Sequence, residues 1–306
     1  MHIKQVMVMG AGAVGGYFGG RLAERTDVDV SFIARGPHLE ALQKEGLLIK
    51  SEQGTSRINI QAFRNPTHAP AVDLILFTVK SYDTAEAIEQ IAPVVSEHTQ
   101  ILTIQNGIEN YPQLVEAFGA ERVIQGFCKI GAGVSRPGVI AHKAFGEITA
   151  GEQDGSESER VKVIEALFGQ AKVPIHISSQ ITKDVWLKFT WNCLLNMVTA
   201  AGNVTVDQIF HHKESEQLCY KLFDELQQVA AKEGIELLDK EGEAIIESSK
   251  KLKGFETSTY QDRQKGKPME YEAFTGAVVR LAEKHNIDIP HHQTLYALLK
   301  LIDNGG

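Results

Sequence analysis

Four polar residues recur at one spacing inside an otherwise apolar stretch. They are Asp184, Lys188, Asn192 and Asn196, within Asp184-Val-Trp-Leu-Lys-Phe-Thr-Trp-Asn-Cys-Leu-Leu-Asn-Met-Val-Thr-Ala200. On an α-helix, steps of four make one narrow line that drifts by about 40° per step. A helix that is apolar almost all round belongs inside a protein. Buried lysine and asparagine need partners, because an unpaired polar group costs roughly 1–3 kcal/mol. The line is therefore expected to face a polar ligand. A plainer reading stands beside it: an ordinary i,i+4 pair of Asp184 with Lys188, and asparagines bonded to neighbouring backbone.

A second chemical constellation opens the chain. The apolar run Gln5-Val-Met-Val-Met9 leads straight into Gly10-x-Gly12-x-x-Gly15, and an amphipathic segment, Tyr17 to Glu24, follows. A strand, a glycine turn and a helix in that order can hold a dinucleotide pyrophosphate. Gly10 permits the tight turn, Gly12 the approach of backbone to phosphate, and Gly15 the close packing of helix on sheet. Gly10, Gly12, Ala13, Val14 and Gly15 are the residues expected at the pyrophosphate, where the helix offers unpaired N–H groups and the positive end of its dipole.

Further candidates stand at strand ends. Val28 to Ala34 reads as a strand that ends in Arg35-Gly36-Pro37. An NAD site would place an acid there to bind ribose hydroxyls; a cation suits the 2′-phosphate of NADP. A solvated arginine before a helix is the alternative. Lys80 follows the buried-type strand Val72 to Val79, and Asn106 follows the strand Gln100 to Ile104. Ligands of open α/β sheets gather outside the carboxyl ends of strands, which places both residues near cofactor or substrate. A loop lysine and a simple Asn-Gly turn are the alternatives.

These elements need a chain able to build more than one core. The sequence has 306 residues, 43% of them hydrophobic, and a net charge of −8. That length suits one large or two ordinary domains. The acidic balance argues against nucleic acid as a partner. Cys128, Cys193 and Cys219 have no metal or redox spacing and read as free thiols of a reducing compartment. The first strand begins almost at once, so no secretory leader is expected, and apolar runs are too short for a membrane span. A cytoplasmic protein is the expectation. The pairs His211-His212 and His291-His292 lack the i,i+4 spacing of helical metal ligands, and no metal is expected. No Gly-x-Ser-x-Gly occurs, which argues against a serine hydrolase.

Along the chain, a helix is predicted over 38–46, closed by glycine, then a hairpin insertion of strands 47–50 and 56–63 around Gly54. A helix over 83–91 precedes Pro93. Residues 122–131 read as a strand and 131–151 as antiparallel edge strands, followed by helix 161–170 and strand 173–177. Strand signals then stop. Helices are predicted from Asp184 onward, over 211–234, 239–251, 271–285 and 291–303, with polar clusters at Thr257–Asp262 and Gly266–Glu272 between them. The fold class is α/β: a doubly wound Rossmann-type domain over 1–178 and an all-helical domain over 179–306.

Taken together, these residues resemble the ketopantoate reductase (2-dehydropantoate 2-reductase) family nearly end to end. The resemblance rests on Gly10-x-Gly12-x-x-Gly15, Val79-Lys80, Gln105-Asn106-Gly107, Lys188-x-x-x-Asn192-x-x-x-Asn196, Ser258-x-x-x-Asp262 and Glu270 before a helix containing Gly276. It implies NADP(H) as cofactor and reduction of 2-dehydropantoate to pantoate, in pantothenate biosynthesis. It further implies Lys188 as general acid, and Asn192, Asn196 and Ser258 on the substrate's carboxylate and hydroxyls. Glu270 would orient the site and bond to substrate. Lys80 and Asn106 would lie near nicotinamide and substrate, Arg35 on the 2′-phosphate, and the active site in a cleft between the two domains. A small 2-oxo acid is the expected partner, with neither nucleic acid nor membrane, and a homodimer is the assembly to test.

The chain departs from the family at several points. Gln105 replaces a histidine of some members, and Asp83 stands where others have glutamine. The run Val204-Thr-Val-Asp207 lacks a substrate-binding asparagine, and Pro268-Met-Glu-Tyr-Glu272 replaces Thr-Glu-Ile-Asp. These changes leave the reaction type and open the choice of 2-oxo acid. A non-catalytic NADP-binding redox sensor is the rival from another class, although a binding protein has no need of a proton donor.

Overall fold

The computed structural model describes residues 2–52 and 54–304. Met1, where the first expected domain begins, and Gly306, where the second ends, lie outside them. By internal contacts the described chain forms two compact units. One is the chain through Asn106 with Asn110–Thr182; the other is Gly107–Glu109 with the chain from Lys183 onward.

The first unit is built on a sheet whose strands are β1 (Gln5–Met9), β2 (Asp29–Ile33), β3 (Leu47–Ser51), β4 (Gly54–Ile58), β5 (Gln61–Phe63), β6 (Leu74–Phe77), β7 (Gln100–Thr103), β8 (Val123–Arg136), β9 (Val139–Gly151) and β10 (Ile175–Ile177). They lie in the order β4-β3-β9-β8-β7-β6-β1-β2-β5, with β10 beside β9. The run β5-β2-β1-β6-β7-β8 is parallel throughout. That is the Rossmann order, and it reverses between β1 and β6. The central strands β1 and β6 are almost wholly buried, as strands covered on both faces must be. Helices α1 (Ala13–Arg25), α2 (Gly36–Glu45), α3 (Thr84–Ile91), α4 (Asn110–Phe118) and α5 (Glu159–Gln170) complete this unit.

Helix α1 is glycine-rich, a composition that weakens a free helix by about 1 kcal/mol per glycine relative to alanine. Close approach to the sheet compensates. A Cβ at Gly15 would stand 2.3 Å from the Gly10 carbonyl oxygen, and one at Gly19 2.4 Å from a Val8 methyl. Phe18 and Leu22 are fully buried in the same core as Val8 and Phe32.

The structure revises three expectations in this unit. The predicted strand 56–63 is two strands: β4 pairs with β3 as a hairpin, while β5 joins β2 in parallel. The hairpin is not an insertion, because β3 also pairs with β9. Residues 131–151 are not edge strands. β8 runs unbroken to Arg136, and β9 pairs on its two sides with β8 and with β3 and β10. Three register shifts between β8 and β9 carry the irregular, glycine-rich alternation that suggested an edge. Helix α4, over which no element was predicted, tolerates Pro112 because the proline sits in its first turn.

The second unit contains α6 (Ile181–Trp191), α7 (Met197–Gly202), α8 (Val206–Ile209), α9 (Lys213–Lys232), α10 (Asp239–Ser249), α11 (Ser258–Gln264), α12 (Thr275–His285) and α13 (Pro290–Asn304); the first residues of α6 are counted with the first unit. Between α6 and α7 the chain is π-helical over Asn192–Asn196. The sequence line was predicted as one continuous α-helix. The polar cluster at Thr257–Asp262, to which no helix was assigned, begins helix α11, capped by the Thr257 hydroxyl, which accepts from the Tyr260 N–H. Its Arg263 guanidinium donates to the carbonyls of Ala200 and Ala201, the open end of α7.

The His291-His292 pair has a structural use. The buried Glu225 carboxylate accepts from both backbone N–H groups and contacts both ring Nδ1 atoms, capping α13. Burial alone would raise this carboxyl's pKa, but those bonds pull it down to about 2. Among the described residues no helix is long and apolar enough to cross a membrane, and no group of three His, Cys, Asp or Glu is placed to hold a metal.

The contact of Gly15 with the Gly10 carbonyl cannot be relieved by a side-chain rotation. Gly15→Ala should therefore cost about 1–3 kcal/mol of stability, the range for overpacking. A thermal melt checks this, and an unchanged midpoint would show that α1 can lift from the sheet without cost.

Candidate nucleotide and acid sites

The reversal of strand order places a crevice outside the carboxyl ends of β1 and β6. Gly10 follows β1 at φ +98°, where a side chain is strained, and its Cβ position is closed by Val79 backbone atoms at 2.9–3.0 Å. The Thr78 hydroxyl fastens the two strand ends together, donating to the carbonyls of Met9 (3.1 Å) and Gly10 (2.8 Å). Gly12 is the N-cap of α1; it is exposed, makes no side-chain cap, and has open space within 4 Å of its Cβ position. Ala13 and Val14 form the half-exposed first turn, and no acidic residue stands in it. Uncapped N–H groups, an approachable backbone and no opposing carboxylate fit a pyrophosphate.

His38 is a member of this site that the sequence reading missed. Its Nε2 lies 2.8 Å from the Ala11 carbonyl, and its Nδ1 accepts the Gly138 N–H at 3.1 Å. The ring must then be neutral with its proton on Nε2, so that it donates to the glycine turn. Its partner Gly138 is 100 residues away in the chain, and no local spacing could have announced the contact.

Lys80 is half-buried and begins the short turn Ser81–Asp83 that leads into α3. Gln105, the residue that departs from histidine, is buried and organises this region. Its amide donates to the Val79 carbonyl and to Thr84 Oγ1, each at 2.9 Å, while its oxygen accepts from Thr103. Thr84 in turn donates to Asn110, whose amide donates to the Asn106 carbonyl at 2.7 Å. One hydrogen-bonded network thus ties the turn carrying Lys80 to the turn carrying Asn106. Arg35 stands at the N-cap of α2 with its side chain 68% exposed, paired with Asp83 at 2.7 Å.

In the helical unit, Lys188 lies on α6 one turn before Asn192, and its Nζ sits 4.8 Å from the centre of the Trp191 ring. This contact limits the positions open to the ammonium. The π turn then interrupts the regular drift of the sequence line, because bonds of the i→i+5 kind widen the turn and reduce rotation per residue. Asn196 Nδ2 donates to Asn192 Oδ1 at 3.1 Å and to Ser258 Oγ at 3.3 Å. A hydrogen bond between Thr199 and Thr257, 2.8 Å long, holds the start of α11 beside this turn and so delivers Ser258. Asn192 and Asn196 are 1% and 2% exposed, and Asn192 Nδ2 and Asn196 Oδ1 have no hydrogen-bond partner. A buried donor and a buried acceptor left open on one short turn are suited to a ligand carrying both carboxylate and hydroxyl oxygens.

Glu270 is buried and begins the short turn Tyr271–Ala273. A tilted contact of the Phe274 ring with that of Phe189, the residue after Lys188, at 6.3 Å between centroids, packs this segment onto α6. The structure therefore gathers Lys188, Asn192, Asn196 and Ser258 on and beside one helix, with the Glu270 segment against the same helix.

The chain thus joins a Rossmann-type sheet unit with a dinucleotide-type glycine loop to a helical unit. The family model for "Ketopantoate reductase PanE/ApbA" matches residues 6–155, and that for its C-terminal domain matches 180–303. The chain belongs to the ketopantoate reductase family, whose members are NAD(P)-dependent oxidoreductases. It is 29% identical to a 2-dehydropantoate 2-reductase of Halobacterium salinarum over 99% of this chain and all of that one. It is 28% identical to the uncharacterized oxidoreductase YkpB of Bacillus subtilis, over 97% of this chain and 98% of that one. A PanE/ApbA family ketopantoate reductase structure from Ralstonia eutropha superposes with a TM-score of 0.92 at 28% identity, covering 98% of this chain and 99% of that chain.

His38 supplies a pH test of the loop. Burial lowers its pKa below the ordinary value near 6.5, outweighing the bond to the Ala11 carbonyl that acts in the opposite direction. As pH falls below about 6.5 the unfolded chain takes up the proton first. The stability tied to the neutral ring is present above that pH and is lost as pH drops through the lowered folded value. The melting temperature of the wild type should thus fall more between about pH 7.5 and pH 5.5 than that of His38→Gln. Parallel falls would mean that His38 titrates freely.

Proposed function

We propose that the protein reduces a 2-oxo acid with NADPH, that the acid is 2-dehydropantoate, and that Lys188 is the general acid. The glycine-loop unit is the nucleotide-binding domain in this reading, and the helical unit carries the acid-binding residues. One observation supports it above others: the open donor of Asn192 and open acceptor of Asn196, buried on the helix that carries Lys188. The full-length likeness to a 2-dehydropantoate 2-reductase supports the choice of substrate.

A reduced nicotinamide held by the glycine-loop unit would supply hydride to the 2-oxo carbon, leaving negative charge on the carbonyl oxygen. The Lys188 ammonium hydrogen-bonds to that oxygen, stabilises the developing charge and gives it a proton, which solvent later restores. The products are a C–H and an O–H bond, so hydride and proton balance. Asn192, Asn196 and Ser258 bind carboxylate and hydroxyl oxygens and hold the acid in one orientation. Glu270 orients the acid from the neighbouring segment. Lys80 and Asn106 would hold the nicotinamide end of the cofactor, and Arg35 its 2′-phosphate.

A second reading keeps the mechanism and changes the acid. It is favoured by the Val204–Asp207 and Pro268–Glu272 departures, and by a full-length relative, YkpB, named only as an oxidoreductase.

NADPH oxidation should be measured with 2-dehydropantoate and a panel of 2-oxo acids. The proposal expects the fastest turnover on 2-dehydropantoate; faster turnover on another acid would transfer the assignment to it. No turnover on any acid, with NADPH still bound, would favour a redox sensor and contradict the catalytic reading. Lys188→Ala should lower kcat by roughly 10²–10⁴-fold and leave the NADPH Kd within about twofold, since the side chain acts on the acid. An unchanged kcat would remove Lys188 from the role.

A further inference from the structure

The Arg35 guanidinium already holds two carboxylates. Its Nη2 is 2.7 Å from Asp83 Oδ2, and its Nη1 is 3.8 Å from Glu86 Oε2. Both acids sit at the start of α3, where the helix dipole favours negative charge. Asp83 is the N-cap residue of that helix, yet its side chain makes no cap hydrogen bond. Its carboxylate is directed at Arg35 instead. The pair is 48 residues apart in sequence, and it joins the end of β2 to the turn after β6, the two loops that flank the glycine loop.

We propose that Asp83, reinforced by Glu86, sets nucleotide selectivity by competing with a 2′-phosphate for Arg35, so that this chain accepts NADH as well as NADPH. The inference rests on Arg35 lying at the adenosine ribose. A 2′-phosphate carries about two negative charges. To engage Arg35 in the bidentate manner it must displace Asp83, and it then remains beside two carboxylates. Like charges so placed oppose binding. A 2′-hydroxyl meets no such repulsion, and it can donate to a carboxylate, as ribose hydroxyls do in NAD sites. Arg35 alone therefore reads as an NADP residue, whereas Arg35 with Asp83 reads as a two-way site. With Arg35 so exposed, the ion pair adds little to folding. Its effect falls on the ligand.

The test is nucleotide binding by the full chain, read from NAD(P)H fluorescence, with adenosine 2′,5′-bisphosphate as a probe of the phosphate alone. Asp83→Asn should tighten NADPH and adenosine 2′,5′-bisphosphate by about tenfold, the effect of removing one charge a few ångströms away at an intermediate dielectric. NADH affinity should stay within about twofold or weaken, and the melting temperature should stay within about 2 °C. Glu86→Gln, more distant and more exposed, should act in the same direction by about two- to threefold. An unchanged NADPH-to-NADH affinity ratio in Asp83→Asn would overturn the inference. So would weaker NADPH binding, which would make Asp83 a support that aims Arg35. Arg35→Ala separates the two layers. If it weakens NADPH alone, the Arg35 reading stands whatever Asp83→Asn does; if it weakens both nucleotides equally, that reading and this inference fail together.

Discussion

The helical unit depends on a constraint that its own stability would resist: two asparagine amides kept out of water with one hydrogen-bonding position each left open. An open buried polar atom costs about 1–3 kcal/mol. Leucine at either position would relieve that cost in a helix already lined by Cys193, Leu194 and Leu195. The surrounding structure is arranged to hold them nonetheless. The π turn carries both and they bond to each other, the Thr199–Thr257 bond holds Ser258 beside them, and Arg263 closes the end of α7 behind them. A π turn inserted in an α-helix is a costly local choice, and such turns concentrate where side chains must be aimed. Its position, spanning both asparagines and following Lys188 within one turn, is the physical basis for treating this helix as the carrier of the chemistry.

The nucleotide unit meets a different constraint, the need to bring backbone close to phosphate. It is met by omission. Glycines remove the side chains that would separate α1 from the sheet, the first turn of α1 has no acid, and Gly12 leaves the approach open. What remains is fixed by hydrogen bonds from outside the loop. Thr78 holds the Gly10 carbonyl and His38 holds that of Ala11. Gln105 carries the same function across to Lys80 and Asn106 through Thr84 and Asn110. A histidine at that position could not bond to both Val79 and Thr84 while accepting from Thr103, so the departure from the family pattern has its own structural logic.

Much of this was legible in the sequence because the signals were local. Gly10-x-Gly12-x-x-Gly15 between a strand and a helix, and four polar residues at i+4 steps in an apolar run, each declare their geometry within about four turns of chain. The loss of strand signals after Ser178 declared the change of architecture. What escaped depended on distant partners or on a break in local rule. The β8–β9 pairing hides behind three register shifts, and β5 is too short to show alternation. Helix α11 was not read as a helix because its polar residues cap it and bond to the π turn in place of an apolar stripe. The π turn has no signature that separates it from an α-helix of the same composition. His38 with Gly138 and Arg35 with Asp83 join residues far apart in the chain, and a single sequence holds no record of such meetings.

The central claim is that the open amide of Asn192 exists for the acid and not for the fold. Calorimetric titration of the nucleotide-bound protein with the hydroxy acid product of its fastest 2-oxo acid tests this, comparing the wild type with Asn192→Leu. Leucine fills the site without an amide, so the variant is expected to fold and bind nucleotide but to lose at least about tenfold in affinity for the acid, the effect of one lost hydrogen bond to a charged group. Equal affinity in the two proteins would contradict the account and return Asn192 to the helix interior as an ordinary buried amide.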